Sequence, residues 1–147
     1  FKGKKAIDSG VKLKDGNYLF GKTKSIKGFL AGALIGSLVG IVLNFIPGNP
    51  IPNFWAVGIL LSFGAVLGDL IASFFKRRFG FKSGKEVFLL DQLDFLAIGL
   101  LLASFAMQFS NEEIIVLIIV TLIAHKLGNL IGFALKLKKV PWWKKNK

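Results

Sequence analysis

Cysteine and histidine are almost absent from this sequence, whose 147 residues include no cysteine and a single histidine. The lack of cysteine excludes disulfide bonds, thiolate nucleophiles and cysteine-ligated zinc, and one histidine cannot supply a zinc site built from several imidazoles. Acidic residues are also scarce, since 8 Asp and Glu stand against 20 Lys and Arg and give a formal net charge of +12. The chain is 53% hydrophobic and only 19% charged, whereas a typical soluble domain is about 25% charged. The composition therefore argues against an ordinary soluble domain.

The hydrophobic residues form four long runs, Gly28–Ile46, Phe54–Phe75, Phe95–Phe109 and Ile114–Leu135. A helix needs about 20 residues to cross the hydrocarbon core of a bilayer, and the third run reaches that length only if Leu89–Asp94 continues the same helix. Because lipid offers no partners for backbone N–H and C=O groups, we expect helices and not strands. The sequence therefore predicts an all-α integral membrane protein, a bundle of four transmembrane helices with a polar cleft open to the cytoplasm.

The basic residues lie on one side of the predicted helices. Eight lysines precede the first helix, five basic residues follow the second and six lysines follow the fourth, so that Lys126 is the one exception. The connector 44–53 carries no charge, and the only charged side chains of the connector 110–113 are acidic. Basic loops are typical of the cytoplasmic side. Both ends of the chain are therefore expected inside, in a multi-pass protein of the cell membrane.

This topology divides the chain into a cytoplasmic basic segment (1–27), a transmembrane domain (28–138) with a cytoplasmic loop (76–91), and a basic cytoplasmic tail (139–147). A sequence that begins with Phe1 instead of Met suggests a missing start. A preceding helix would enter from outside, so we expect five helices in the parent protein. Since the positive charge flanks membrane spans and does not cover one face of a soluble fold, nucleic-acid binding is not expected.

Several polar residues interrupt the apolar runs, although a charge near the bilayer centre costs about 2.5–3.5 kcal/mol on insertion scales. Asp69, Ser73 and Lys76 share one stripe of the second helix, because they are four and three residues apart. Asp91 and Asp94 share a face where the third helix begins. The fourth helix adds three polar residues: His125, Lys126 and Asn129. We expect these groups to meet in the cleft.

Two simpler interpretations of these polar residues stay open. A buried ion pair, such as Asp69 with Lys126, could hold the helices together without any chemistry. His125 is better explained by a hydrogen bond between helices than by a role as general base. The clustering of three carboxylates beside five basic loop residues nevertheless favours a functional site.

Carboxylates without cysteine or several histidines favour a hard, oxygen-binding cation, above all Mg²⁺. Asp69, Asp91 and Asp94 are therefore the predicted metal ligands. Lysine and arginine beside such a metal are typical of a phosphate site, because the metal bridges phosphate oxygens and the cations balance the charge that develops during transfer. Lys22 and Thr23 precede the first helix, where free N–H groups and the helix dipole favour anions.

The stretch from Gly16 to Thr23 also satisfies the P-loop pattern G-x-x-x-x-G-K-T. A P-loop needs a buried strand before the pattern, and the stretch from Val11 to Asp15 is too charged for one. The helix that follows is a predicted membrane span. A true P-loop is therefore rejected, and Lys22 and Thr23 are expected to contact phosphate in another geometry.

Several motifs resemble the membrane cytidylyltransferases that make CDP-diacylglycerol, and more closely their short archaeal branch, the CDP-archaeol synthases. The matching stretches are Gly21-Lys22-Thr23, Gly68-Asp69 with Ser73 and Lys76-Arg77-Arg78-Phe79-Gly80, Asp91-Gln92-Leu93-Asp94-Phe95, and His125, Asn129, Gly132, Leu137-Lys138 and Val140-Pro141-Trp142. The bacterial and eukaryotic enzymes carry a Pro-Gly-His-Gly-Gly stretch before the Asp pair, where this sequence has Lys85–Leu90. The resemblance covers nearly the whole chain.

The resemblance implies an enzyme that transfers CMP from CTP to an isoprenoid ether glycerol phosphate of the archaetidic acid type, giving a CDP-archaeol lipid and pyrophosphate. It assigns the metal-binding acidic positions to Asp69, Asp91 and Asp94, and Mg²⁺ is the expected cofactor. Lys76 and Arg77 are expected to join these carboxylates in catalysis. The expected substrate-binding residues are Lys22, Thr23, Ser73, Arg78, Lys82, Lys126 and Asn129.

Two other classes of protein would share part of this pattern. A small transporter or channel subunit would also carry charges within its helices, but it would move a solute without CTP. A non-catalytic membrane scaffold would explain the glycines spaced by four residues on the first helix, a pattern typical of close helix packing. A scaffold does not explain why a charged residue, Asp69, lies within the second apolar run.

Overall fold

The computed structural model describes residues 5–81, 87 and 90–135, apart from the side chains of Leu90, Gln92 and Asn129. Its helices are α1 (Ile26–Asn44), α2 (Phe54–Arg78), α3 (Leu90–Ala103) and α4 (Asn111–Ala134). The described residues form no β-strand, and only two isolated bridges, Ala6 with Ser25 and Lys12 with Tyr18, occur in the polar segment before α1. The predicted all-α class is confirmed.

Three of these helices, α1, α2 and α4, are long and apolar enough to span a membrane. Helix α3 begins at Leu90, before its apolar run at Phe95, as a membrane-spanning length would require. It ends at Ala103, however, and a turn follows. Its 14 residues extend about 21 Å at 1.5 Å per residue, less than the roughly 30 Å hydrocarbon core. Four complete spans therefore stay a prediction.

The helix ends are defined by polar caps. The Ser25 hydroxyl accepts a hydrogen bond from the Gly28 N–H (3.1 Å) at the start of α1, two residues before the predicted boundary. Ser110 and Glu113 form a reciprocal capping box at the start of α4. At the end of α2, Gly80 has φ +75° and Phe81 N–H donates to the Lys76 carbonyl (3.0 Å), which closes the last turn and satisfies its carbonyls.

Glycines bring α2 into close contact with α1 and α3, and both neighbours run antiparallel to it. A Cβ on Gly58 would lie 2.5 Å from the Gly40 Cα of α1. A Cβ on Gly64 would lie 2.5 Å from the Gly99 Cα of α3, and one on Gly68 would lie 2.5 Å from the Asp94 carbonyl oxygen. These backbones approach so closely only because glycine has no side chain.

The chain separates into two compact units, Phe1–Gln108 and Phe109–Lys147. Within the first, the antiparallel packing puts the start of α1, the end of α2 and the start of α3 at one end of the helices. The second unit contains α4. The predicted basic tail 139–147 lies outside the described residues, and so does much of the predicted loop 76–91.

Candidate active site

Charged side chains gather at the end where α1 begins, α2 ends and α3 begins. The first pair joins Lys24, which precedes α1, to the carboxylate of Asp69 on α2. The Asp69 side chain keeps 49% of its surface exposed, so one of its faces remains accessible. The Ser73 hydroxyl, one turn along α2, is buried and donates to the Asp69 carbonyl (2.7 Å).

A second pair joins Lys76 on α2 to Asp91 in the first turn of α3. Both side chains are shielded from solvent, and the Asp91 Oδ2 also accepts a hydrogen bond from the Val87 N–H (2.9 Å). Asp91 thus connects the backbone just before α3, at Val87, with Lys76 on α2. Removing one partner of a buried pair leaves an uncompensated charge, which typically costs about 3–5 kcal/mol.

Asp94 is the third carboxylate at this end, and no lysine or arginine of the described residues forms an ion pair with it. Its Oδ1 accepts from the Phe95 N–H (2.6 Å), while its Oδ2 is buried without a hydrogen-bond partner among the described residues. Asp69, Asp91 and Lys76 all lie within electrostatic range of Asp94. The close approach of Gly68 to the Asp94 backbone is what brings α2 and α3 together here.

Arg77 and Arg78 lie at the end of α2 but differ in their contacts. Arg77 is buried, and its Nε and Nη1 have no hydrogen-bond partner in the described part of the chain. The Arg78 guanidinium lies over the Phe74 ring at 4.9 Å, and its Nη2 donates to the Tyr18 carbonyl (2.8 Å). Its Nε lies 3.1 Å from the Asp15 Oδ2, which is close enough for an ion pair, although Nε and Nη1 make no hydrogen bond within the described residues. Arg78 therefore ties the segment before α1 to α2.

A cavity of about 270 Å³ opens beside Asp69, between the start of α1 and the second half of α2. Its lining residues are Thr23, Lys24, Ser25, Gly28, Phe29, Val66, Asp69 and Leu70. Of the two residues predicted before α1, Thr23 reaches this cavity. The Lys22 ammonium lies over the Tyr18 ring instead, 5.3 Å from its centroid.

The remaining predicted site residues lie on α4 or outside the described residues. His125 and Lys126 lie on α4, in the second compact unit. Lys82 and the side chain of Asn129 lie outside what the structure describes. Their place in the site stays a prediction.

The donor chemistry of the cluster fits a hard divalent cation, since three carboxylates lie within electrostatic range and one buried oxygen of Asp94 has no described partner. No three acidic or histidine side chains among the described residues are arranged to hold an ion as they stand. Asp69 and Asp91 instead bind the ammonium groups of Lys24 and Lys76. Joint coordination by the three carboxylates therefore requires these side chains to rearrange.

Lys24 is the site residue that sequence reasoning missed. It lies 45 positions from Asp69 in the chain, and no local spacing relates the two. The available signal was its place directly before the Ser25 cap, at the start of a helix with which α2 had to pack. Lys22 and Thr23 complete the P-loop pattern G-x-x-x-x-G-K-T, whereas Lys24 lies one residue beyond it.

Apolar helices long enough to span a membrane, with charged side chains gathered at one end, fit an intramembrane enzyme, and the structural comparison supports this class. The fold matches the solved structure of an intramembrane enzyme for archaeal membrane lipids biosynthesis with a TM-score of 0.79. The two sequences are 32% identical, and the match covers 88% of this chain and 81% of that one.

The sequence comparisons give the family. The CarS-like family of CDP-archaeol synthases matches residues 1–142. The CDP-archaeol synthase of Methanopyrus kandleri is 40% identical over 97% of this chain and 82% of its own length. That of Methanospirillum hungatei is 39% identical over 92% of this chain and 89% of its own. The chain belongs to the CDP-archaeol synthase family, and it is a membrane cytidylyltransferase of lipid synthesis.

Proposed function

We propose that this chain transfers CMP from CTP to the phosphate of an isoprenoid ether glycerol phosphate of the archaetidic acid type, 2,3-bis-geranylgeranyl-glycerol 1-phosphate. The products are a CDP-archaeol lipid and pyrophosphate. The observation that carries the proposal is the gathering of three carboxylates with Lys24, Lys76 and Arg77 at one end of apolar helices. The names of the related enzymes support the choice of substrates.

The reaction is a substitution at the α-phosphorus of CTP. An oxygen of the lipid phosphate forms the new P–O bond, and the bond from the α-phosphorus to the bridging oxygen of the β-phosphate breaks. Pyrophosphate leaves with that oxygen. The lipid phosphate is itself the nucleophile, so no covalent enzyme intermediate is needed, and the protein has to position two anions and stabilise the departing charge.

Asp69, Asp91 and Asp94 are the proposed ligands of Mg²⁺, on the strength of their hard oxygen donors and of the unpartnered Asp94 Oδ2. Mg²⁺ held there would neutralise triphosphate charge and stabilise the leaving pyrophosphate. Lys24 and Lys76 bind two of these carboxylates. Each ammonium would lie close enough to turn from its carboxylate to a phosphate oxygen when substrate binds.

Arg77 is the proposed phosphate ligand with the clearest structural basis, because its buried guanidinium binds no carbonyl or carboxylate among the described residues, whereas Arg78 binds Tyr18 and Asp15. A guanidinium can bind phosphate through two parallel hydrogen bonds. Thr23 lines the cavity beside Asp69 and would add its hydroxyl. The other expected substrate contacts are Lys22, Ser73, Arg78, Lys82, Lys126 and Asn129.

The site is proposed to face the cytoplasm of the cell that makes the lipid, where CTP is found. The basic residues at the start of α1 and the end of α2 support this side, because positively charged flanks favour the cytoplasmic face. The lipid tails would stay in the bilayer while the phosphate reaches the charged end of the helices.

The experiment that tests the reaction uses CTP labelled at one phosphate at a time, with purified enzyme and the ether-lipid phosphate in detergent. Label at the α-phosphate should enter the lipid, and label at the γ-phosphate should appear only as water-soluble pyrophosphate. ATP, GTP and UTP serve as controls and should transfer little. Entry of γ-label into the lipid would show a kinase-type reaction and contradict the proposal.

A further inference from the structure

The segment before α1 is organised around one buried carboxylate, that of Asp8, which is only 6% exposed. Its Oδ2 accepts hydrogen bonds from the N–H groups of Phe20 (3.0 Å) and Gly21 (3.2 Å). Its Oδ1 accepts from the Gly10 N–H (3.0 Å). No lysine or arginine is bound to Asp8 in the described structure, so its charge is balanced by backbone dipoles alone.

These hydrogen bonds hold Asp8 in its charged form. Burial alone would raise the pKa of Asp8, but the N–H groups of Phe20, Gly10 and Gly21 outweigh that effect and lower it below its ordinary value. A carboxylate with several N–H donors is a rigid junction, because each oxygen fixes a different part of the chain. Asp8 therefore connects the start of the segment to the turn at Phe20 and Gly21.

That turn leads directly into the residues that line the cavity. Gly21 has φ +104°, a conformation that other residues rarely adopt. Thr23 and Lys24 follow, and both line the cavity beside Asp69. The Ile7 N–H donates to the Lys24 carbonyl (2.9 Å), so the backbone of Lys24 is held by the residue next to Asp8.

We infer that Asp8 is a positioning residue for nucleotide binding, which fixes the turn at Phe20 and Gly21 and so presents Thr23 and Lys24 to the triphosphate. The inference rests on the proposed function, in which this cavity receives phosphates of CTP. Asp8 itself contacts neither substrate. Its effect belongs to the nucleotide and not to the lipid, because the residues it orients line the cavity beside Asp69.

The test is Asp8→Asn, which preserves the size of the side chain. An amide has one acceptor oxygen, so either Gly10 or the pair Phe20 and Gly21 must face an N–H₂ group. Leaving buried donors unsatisfied is unfavourable, because they lose their hydrogen bonds to water without gaining a partner. If the cost of ordering the turn falls on CTP binding, the Kd for labelled CTP should rise about tenfold, which corresponds to about 1.4 kcal/mol. The lipid KM, and kcat at saturating CTP, should stay close to wild type.

A second variant perturbs the same junction without touching the carboxylate. Gly21→Ala strains the turn, because alanine rarely adopts φ +104°, and it should also weaken CTP binding selectively. If Asp8→Asn does not fold, this variant decides the matter. The matched control is Glu112→Gln, which makes the same carboxylate-to-amide change at an exposed position in the first turn of α4, and it should leave the CTP Kd close to wild type.

A normal CTP Kd in Asp8→Asn, or in Gly21→Ala when it alone folds, would overturn the inference. So would an equal loss of affinity for CTP and lipid, since that is the result of a purely structural role. These failures differ from a failure of the proposed function, in which wild-type enzyme binds no CTP or transfers no α-label.

Discussion

Arg77 and Arg78 are adjacent, yet the structure gives them different surroundings. Both have a buried Nε and Nη1 without a hydrogen-bond partner in the described structure. Arg78 nevertheless donates from Nη2 to the Tyr18 carbonyl and pairs with Asp15, whereas Arg77 makes no such contact there. Sequence reasoning expected Arg77 to act in catalysis and Arg78 to bind substrate. The contacts favour the first role for Arg77 and add a structural role for Arg78.

Arg77→Ala is expected to lower kcat by about 10²-fold, the usual effect of losing one donor to developing charge. Arg77→Lys should restore only part of the rate, because an ammonium cannot make the two parallel bonds of a guanidinium. The measurement is a CTP titration at saturating lipid. Full activity of Arg77→Lys would show that position 77 supplies only charge.

Arg78→Ala is expected to act mainly on stability. It removes the hydrogen bond to the Tyr18 carbonyl and the ion pair with Asp15, which together contribute on the order of 1 kcal/mol because both are partly exposed. The Tm in detergent should fall, while kcat falls less than in Arg77→Ala. A loss of kcat as large as that of Arg77→Ala, at unchanged Tm, would assign Arg78 to the reaction instead.

The packing of helices α1, α2 and α3 depends on glycines that allow the backbones to touch. Gly58→Leu should destabilise the protein by about 1–3 kcal/mol, the usual cost of overpacking, because even a Cβ there would lie 2.5 Å from Gly40. Gly128→Leu on α4 is the matched control, since a Cβ at that position meets nothing within 4 Å among the described residues. Thermal unfolding in detergent compares the two, and equal losses would contradict this interpretation of the glycines.

Hydropathy predicted the helical class and most helix positions, because lipid requires long apolar helices. It could not predict the end of α3 at Ala103, since the run stays mostly apolar to Phe109 and its two polar residues, Ser104 and Gln108, do not by themselves end a helix. Hydropathy also could not predict the close contact of Gly68 with Asp94 or the pairing of Lys24 with Asp69. Both join residues distant in sequence, and local spacing carries no signal for such contacts.

Orientation is a property of the whole molecule, and cysteine labelling can test it because the chain has no native cysteine. Cysteines at Asn49, in the uncharged connector between α1 and α2, and at Asn111 should react with an impermeant reagent from outside intact cells. A cysteine at Lys14, in the exposed basic segment, should react only after the membrane is opened. Labelling of position 14 in intact cells would contradict a site supplied by cytoplasmic CTP.

The central claim is that the carboxylates at the junction of α2 and α3 form the transfer site. Transfer of α-labelled CMP to lipid by Asp94→Asn tests it most directly, since Asp94 carries the buried oxygen without a described partner. We expect a loss of about 10³-fold or more, corresponding to several kcal/mol of transition-state stabilisation. The control Glu112→Gln, an exposed acid in the first turn of α4, should transfer normally. Wild-type turnover by folded Asp94→Asn would contradict the claim.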